Sequence, residues 1–178
     1  MPKVSQAHLD ARRHQILDAA RTLFATKGFA GTSTADLVEA SGMSNGAIYR
    51  YFKSKNELIT AICDETTSSL PEELSERSLR SFLGAIRSAA REQDHARLIA
   101  QIYAEAAISA PLASIVQRQL SELRAALVAL LPGREPTEAE AVADAFVALC
   151  QGYTQQLAVW GDVDPAPYVA ALVRLTQE

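Results

Sequence analysis

The sequence predicts an all-α fold: a small three-helix head with a helix-turn-helix, followed by a larger helical body. Three observations carry this. Apolar residues recur at three- and four-residue intervals along nearly the whole chain, and no segment sustains the period-two alternation of a half-buried strand. Serines stand where helices should start and glycines or prolines where they should stop. Finally, 178 residues with 48% hydrophobic content suffice for a real core, which excludes disorder as an overall description.

The first helix is placed at about 7–27, with Ile16, Leu17, Ala20, Leu23 and Phe24 on one face. Gly28 follows its end and Lys27 sits in its last turn, where a positive charge suits the helix dipole. Ser33 with Asp36 three residues on reads as a cap and its partner, opening a short helix that turns Leu37 and Val38 inward and stops before Gly42. Ser44 caps the next short helix, "NGAIYRYF", and Ser54 with Glu57 forms a third capping box that opens a longer helix with Leu58, Ile59 and Ile62. Two short helices joined by "ASGMS" make a helix-turn-helix. The body follows as helices at about 55–68, 72–92, 95–109, 112–131, 137–160 and 165–177, punctuated by prolines at 71, 111, 132, 136, 165 and 167.

Charge divides the chain in the same place. Residues 1–60 hold 8 Lys/Arg against 5 Asp/Glu, whereas residues 61–178 hold 9 against 16, so a basic head sits on an acidic body. That is the pattern expected if only the head approaches phosphates. Within the second helix of the motif, Ile48 and Phe52 are four apart and belong to one inward face. The N-terminal residues of such a helix meet base edges in the major groove. Gly46 and Ala47 are small enough for close approach, Asn45 can pair with adenine and Arg50 with guanine. Tyr49 and Lys55 suit phosphate contacts, and Tyr51 is divided between the core and the DNA face. Lys3, Arg12 and Arg13 add positive charge before and within the first helix, as backbone attraction or as an ordinary solvated terminus.

Residues 16–59, "ILDAARTLFATKGFAGTSTADLVEASGMSNGAIYRYFKSKNELI", resemble the N-terminal DNA-binding domain of the TetR family of bacterial transcriptional regulators. The "ILDAARTLFATKGF" helix, the Thr/Ser-started second helix ending at Gly42, "YRYF" closing the third and "KSKNEL" entering the fourth agree together. The resemblance implies domains at 1–54 (DNA-binding) and 55–178 (ligand-binding and dimerisation). It implies DNA contacts from Thr34, Ala35, Asn45, Gly46, Ala47, Tyr49, Arg50, Tyr51 and Lys55. It also implies a small-molecule effector within the body, for which Phe82, Ile86, Ile102, Tyr103, Ile115 and Tyr153 are candidates against ordinary core packing. His95 and Glu105 are possible polar members of that site, with a solvated face favoured for both.

The segment "AEAVADAFVALCQGYTQQLAVW" is apolar on two sides and so needs two helical partners. In the resembling family the last two helices pair with their copies, which makes Val142, Phe146, Leu149, Gly152, Leu157, Val169 and Leu172 candidates for a homodimer interface. A repressor on a palindromic double-stranded operator follows as the expectation.

Other classes find less support. "GFAGTS" lacks the Gly-Lys-Ser/Thr ending of a phosphate loop and follows a helix, so no enzyme is expected and no cofactor. His8 and His14, six apart, do not share a helix face, and no metal site is expected. No apolar run is long enough to span a bilayer, and a cytoplasmic protein is expected. Cys63 and Cys150 are expected as reduced thiols within helices; a thiol switch at Cys63 is the redox alternative, and a helical adaptor that binds no DNA is the alternative of another class.

Overall fold

A computed structural model describes residues 5–67 and 70–177. Its helices are α1 (Gln6–Lys27), α2 (Thr34–Ser41), α3 (Asn45–Tyr51), α4 (Lys55–Thr67), α5 (Glu76–Gln93), α6 (His95–Ala106), α7 (Ala110–Ala129), α8 (Pro136–Trp160) and α9 (Ala166–Gln177). Lys3 and the expected helix end at residue 68 lie outside the described residues.

The head is laid out by its caps. Ser33 accepts from the Asp36 amide while the Asp36 carboxylate accepts from the Ser33 amide at 2.7 Å, the reciprocal box expected from sequence. Gly42 ends α2 at φ +63°, a left-handed conformation that costs glycine nothing, and Ser44 restarts the chain by accepting from the Ala47 amide. At α4 the box is only half as expected. Ser54 accepts from the Glu57 amide, but the Glu57 carboxylate takes the amide of Lys53, one residue earlier, at 2.7 Å.

The Asp36 carboxylate also receives Lys27 Nζ at 2.5 Å, tying the end of α1 to the start of α2. The Lys27 ammonium first, and the Ser33 hydroxyl and amide after it, hold this carboxyl well below the usual range. Because the folded pKa is depressed below the unfolded value of about 3.9, the contribution is present above that pH and is lost as pH falls toward the folded value. Asp36→Asn is therefore expected to lower the melting temperature at pH 7, and the gap to the native chain to close on titration to about pH 2. A gap that held constant across the titration, followed by circular dichroism, would contradict the assignment.

Body helix starts shift for identifiable reasons. The helix expected at 72–92 begins at Glu76, because Ser75 caps it by accepting from the Ser78 amide and the Glu73 carboxylate takes both hydroxyls, at 2.7 and 3.2 Å. The helix expected at 95–109 ends at Ala106, since the Ala107 and Ser109 amides close on the Tyr103 and Glu105 carbonyls while Ser109 is extended. Pro111 then lies inside the first turn of α7, where its missing N–H is not needed.

Two buried clusters hold the molecule together. The first joins Ile16, Leu17 and Phe24 of α1, Leu37 of α2, Ile48 of α3, Phe52, and Leu58 and Ile59 of α4. It continues without a break into Leu98 and Ile102 of α6 and Leu112 and Val116 of α7. The expected boundary at 54/55 thus crosses a shared core, and each fully buried aliphatic or aromatic side chain stabilises it by about 1.5–3 kcal/mol. The second cluster packs Leu79 and Leu83 of α5 against Phe146, Tyr153 and Leu157 of α8 and Val169 and Leu172 of α9. Arg87 of α5 grips Asp162, in the loop after α8, with two bonds of 2.5 and 2.7 Å.

This packing corrects the expected dimer face. Phe146, Leu157, Val169 and Leu172 are 0–2% exposed, and Val142 is buried in a small cluster with Leu131 and Ala139. Within one chain α5, α8 and α9 already bury the first four against one another, and Val142 packs beside Leu131 and Val128, so the five offer no free surface to a second chain. Leu149 remains half-buried and Gly152 exposed, on a strip of α8 that also carries Ala141, Ala145 and Ala148.

Candidate nucleic-acid interface and body cavity

The helix-turn-helix presents one polar face. Ile48 and Phe52 point inward at 3% and 5% exposure, as their spacing requires. That rotation leaves Ala35, Asn45, Gly46, Tyr49 and Arg50 exposed, Thr34 half-buried beside them, and Ala47 and Tyr51 half-buried against the core. A Cβ added at Gly46 would meet nothing within 4 Å, so nothing in the fold demands a glycine at the start of α3. Tyr49 is 43% exposed, among the few large hydrophobic side chains left in solvent.

Arg12 and Arg50, with His8, Ser44 and Tyr51, line a shallow concavity of about 360 Å³ between α1 and α3. Two expected cations are placed differently. Lys55 Nζ donates to the Phe29 and Thr32 carbonyls at 2.7 and 2.8 Å and lies 4.7 Å from the Phe29 ring centre, so it staples the loop between α1 and α2. Arg13 lies over the Phe52 ring at 5.4 Å. Lys53 is instead the exposed cation at the end of α3, its Nζ donating to the Tyr49 carbonyl at 3.1 Å.

The body encloses a cavity of about 510 Å³. Of the candidates, Phe82 and Ile86 of α5 and Ile102 and Tyr103 of α6 line it. Two others do not. Ile115 packs on the first core cluster, and Tyr153 is fully buried between α8 and α9, its ring 4.7 Å from Tyr168 and its hydroxyl donating to the Val163 carbonyl at 3.1 Å. His95, for which a solvated face was favoured, is a wall residue, and burial first and Arg21 second push its imidazole below the usual value. Glu105 is not part of the wall.

Sequence reasoning missed Asp18 and Arg21 of α1, and Gln151 and Thr154 of α8. Gln151 and Thr154 had a signal, being polar positions within a helix apolar on two sides; the α1 pair had none, because only tertiary packing brings that helix to the wall. Cys63 and Cys150 also face the cavity, and burial raises their thiols to about 11 and about 12. Such thiols stay protonated at neutral pH and are poor nucleophiles, which removes the chemical basis of a switch at Cys63.

Comparison with known proteins bears directly on the head. Residues 16–62 match the model of the bacterial regulatory proteins, tetR family. The head is thus similar to the tetR-family DNA-binding domain. A 70-residue segment is 47% identical to the HTH-type transcriptional repressor Rv1474c of Mycobacterium tuberculosis, covering 39% of this chain and 37% of that protein. A 94-residue segment is 36% identical to the HTH-type transcriptional repressor AcnR of Corynebacterium jeikeium, covering 53% and 48%. The matched segments thus span under half of these relatives. Over nearly its whole length the chain shares its fold with Salmonella enterica GusR, at a TM-score of 0.76 and 24% identity, covering 99% of this chain and 100% of that one. Among the described residues no helix is long and apolar enough to cross a membrane.

Proposed function

We propose that this chain is a sequence-specific DNA-binding transcriptional regulator, a repressor that acts as a homodimer on a palindromic operator in the cytoplasm and leaves it when a small, mostly apolar ligand fills the body cavity. The observation that carries this reading is the face of α3. Asn45, Gly46, Tyr49 and Arg50 are exposed together, have no evident role in the fold, and are the residue types that read or approach a duplex. Two similar relatives, Rv1474c and AcnR, are named as repressors, which favours repression over activation.

Ligand response is supported by two helices that serve both ends. α4 gives Leu58 and Ile59 to the head core and Ile62 and Cys63 to the cavity wall; α1 gives Ile16, Leu17 and Phe24 to the core and Asp18 and Arg21 to the wall. A ligand that displaces either helix tilts the reading head, and a coupling of about 1–3 kcal/mol would change operator affinity several-fold to about a hundredfold. For the dimer, the strip of Ala141, Ala145, Ala148, Leu149 and Gly152 is small enough for a partner helix to approach closely.

The test is selection of bound duplexes from random DNA at two salt concentrations. A palindromic consensus whose affinity falls as salt rises is the expected result. Sequence-blind binding under both conditions would sink the proposal.

A further inference from the structure

The cavity wall carries its own statement about what it accepts. Most of it is apolar, from Phe82, Ile86 and Ile102 on one side to Phe146 on another. Its formal charges come from Asp18 and Arg21, which pair with each other at 2.7 Å. His95 is held neutral by burial, with Arg21 adding to the effect, and both thiols are held protonated by burial. A charged ligand would therefore give up its hydration for a wall whose opposite charges already cancel.

Among the polar side chains of this wall, which also include Gln119 and Thr154, one pair is bonded from helix to helix. Gln151 Nε2 of α8 donates to the Tyr103 hydroxyl of α6 at 2.7 Å, across 48 residues of sequence. The bond uses one amide hydrogen and one phenol lone pair. The Tyr103 O–H hydrogen and the Gln151 carbonyl oxygen have no other partner among the described residues. Turning the amide over exchanges these roles, leaving amide N–H donors and a phenol lone pair. In either orientation the pair offers at least one free donor and at least one free acceptor side by side. Burial raises the Tyr103 phenol, more than the Gln151 bond lowers it, so its proton stays in place at neutral pH.

The geometry points to an uncharged, largely apolar effector bearing a hydroxyl, an alcohol or a phenol, that both accepts from and donates to the Tyr103–Gln151 pair. A hydroxyl is the smallest group that does both from one atom. A hydrocarbon would leave the pair unsatisfied, and a carboxylate, which only accepts, would leave the pair's free acceptor unmet while adding a charge the wall does not balance. A cavity of about 510 Å³ suits a molecule of two or three rings or an equivalent chain. The inference rests on the ligand-responsive reading given above, but its test does not depend on DNA.

Three probes on one ring system isolate the polar group: 1-naphthol, naphthalene and 1-naphthoate, titrated calorimetrically into the full chain. The native protein is expected to bind 1-naphthol tightest. Tyr103→Phe and Gln151→Met are each expected to weaken 1-naphthol roughly ten- to hundredfold, while naphthalene changes by no more than about twofold. Retained naphthalene binding establishes that each variant keeps its cavity. The double variant should lose little more than either single one, because both act on one group.

Unchanged 1-naphthol affinity in both single variants would overturn the inference. So would tighter binding of 1-naphthoate than of 1-naphthol by the native chain, or no binding of any of the three. A fourth titration, of selected operator with and without 1-naphthol, separates the two claims. If 1-naphthol binds through the pair yet leaves operator affinity unchanged, the chemistry of the cavity stands and ligand release fails. If another compound releases the operator equally well from Tyr103→Phe and Gln151→Met, regulation stands and the pair is not its reader.

Discussion

A chain carrying Tyr49→Ala and Arg50→Ala is expected to melt like the native protein and to lose its operator. Both side chains are exposed, and substitutions of that kind usually change stability by less than about 0.5 kcal/mol. Binding should respond far more strongly. A bidentate arginine-guanine contact discriminates by about 1–3 kcal/mol, and on the proposed homodimer it would be made once in each half-site, so the loss would multiply to on the order of 10²–10⁴ in affinity. In the proposed role Tyr49 would add a phosphate contact whose loss weakens every sequence alike. Anisotropy titrations against the selected operator and a scrambled duplex distinguish these contributions. Specific binding should collapse toward the scrambled value, with a reduced salt slope. Native affinity in this double variant, with its melting curve intact, would mean that another face meets the duplex.

The head was legible in the sequence because its signals are local. Ser33, Ser44 and Gly42 act on amides and dihedrals within three residues of themselves, so caps placed α2 and α3 without reference to anything else. Ile48 and Phe52 declared their face by spacing alone. Lys55 shows where this stops. It stands in a basic run next to the recognition helix, but the carbonyls that engage it belong to Phe29 and Thr32, more than twenty residues earlier. Nothing local distinguishes a lysine that touches phosphate from one that holds a loop.

The body illustrates the same limit at the level of whole faces. The periodicity of α8 states that two partners are needed, but not which side its own chain takes. Packing settled that in favour of size. The large residues Phe146 and Leu157 went against α5 and α9, and the small ones at 141, 145, 148 and 152 were left outside. Cavity walls were only partly legible for a related reason. Ile102 and Ile115 are both apolar positions in amphipathic helices, and only the arrangement of α6 and α7 makes the first a wall and the second filler.

Two glycines of the head separate a requirement of the fold from a requirement of binding, and substituting each by alanine gives opposite expectations. A Cβ at Gly31 would lie 2.4 Å from the Lys27 carbonyl oxygen, an obstacle made of backbone that no rotamer change relieves. The loop that would have to move is fixed at several points. Lys27 pairs with Asp36 beyond it, and Lys55 holds the carbonyls of Phe29 and Thr32 on either side of Gly31. Gly31→Ala is therefore expected to cost about 2–4 kcal/mol, a fall of roughly 5–15 °C in melting temperature. Because the head shares its core with α6 and α7, the body should soften with it. At Gly46 the same methyl group meets nothing, and alanine favours an exposed helix over glycine by up to about 1 kcal/mol. Gly46→Ala should melt at or above the native temperature. It should nonetheless weaken operator binding, because on the proposed reading the methyl group would stand where the backbone of α3 approaches the duplex. Gly31→Ala, by contrast, should lose binding only in proportion to its unfolded fraction, and recover it on cooling. A Gly46→Ala chain that is both more stable and fully competent for the operator would place the wall of the groove elsewhere on α3.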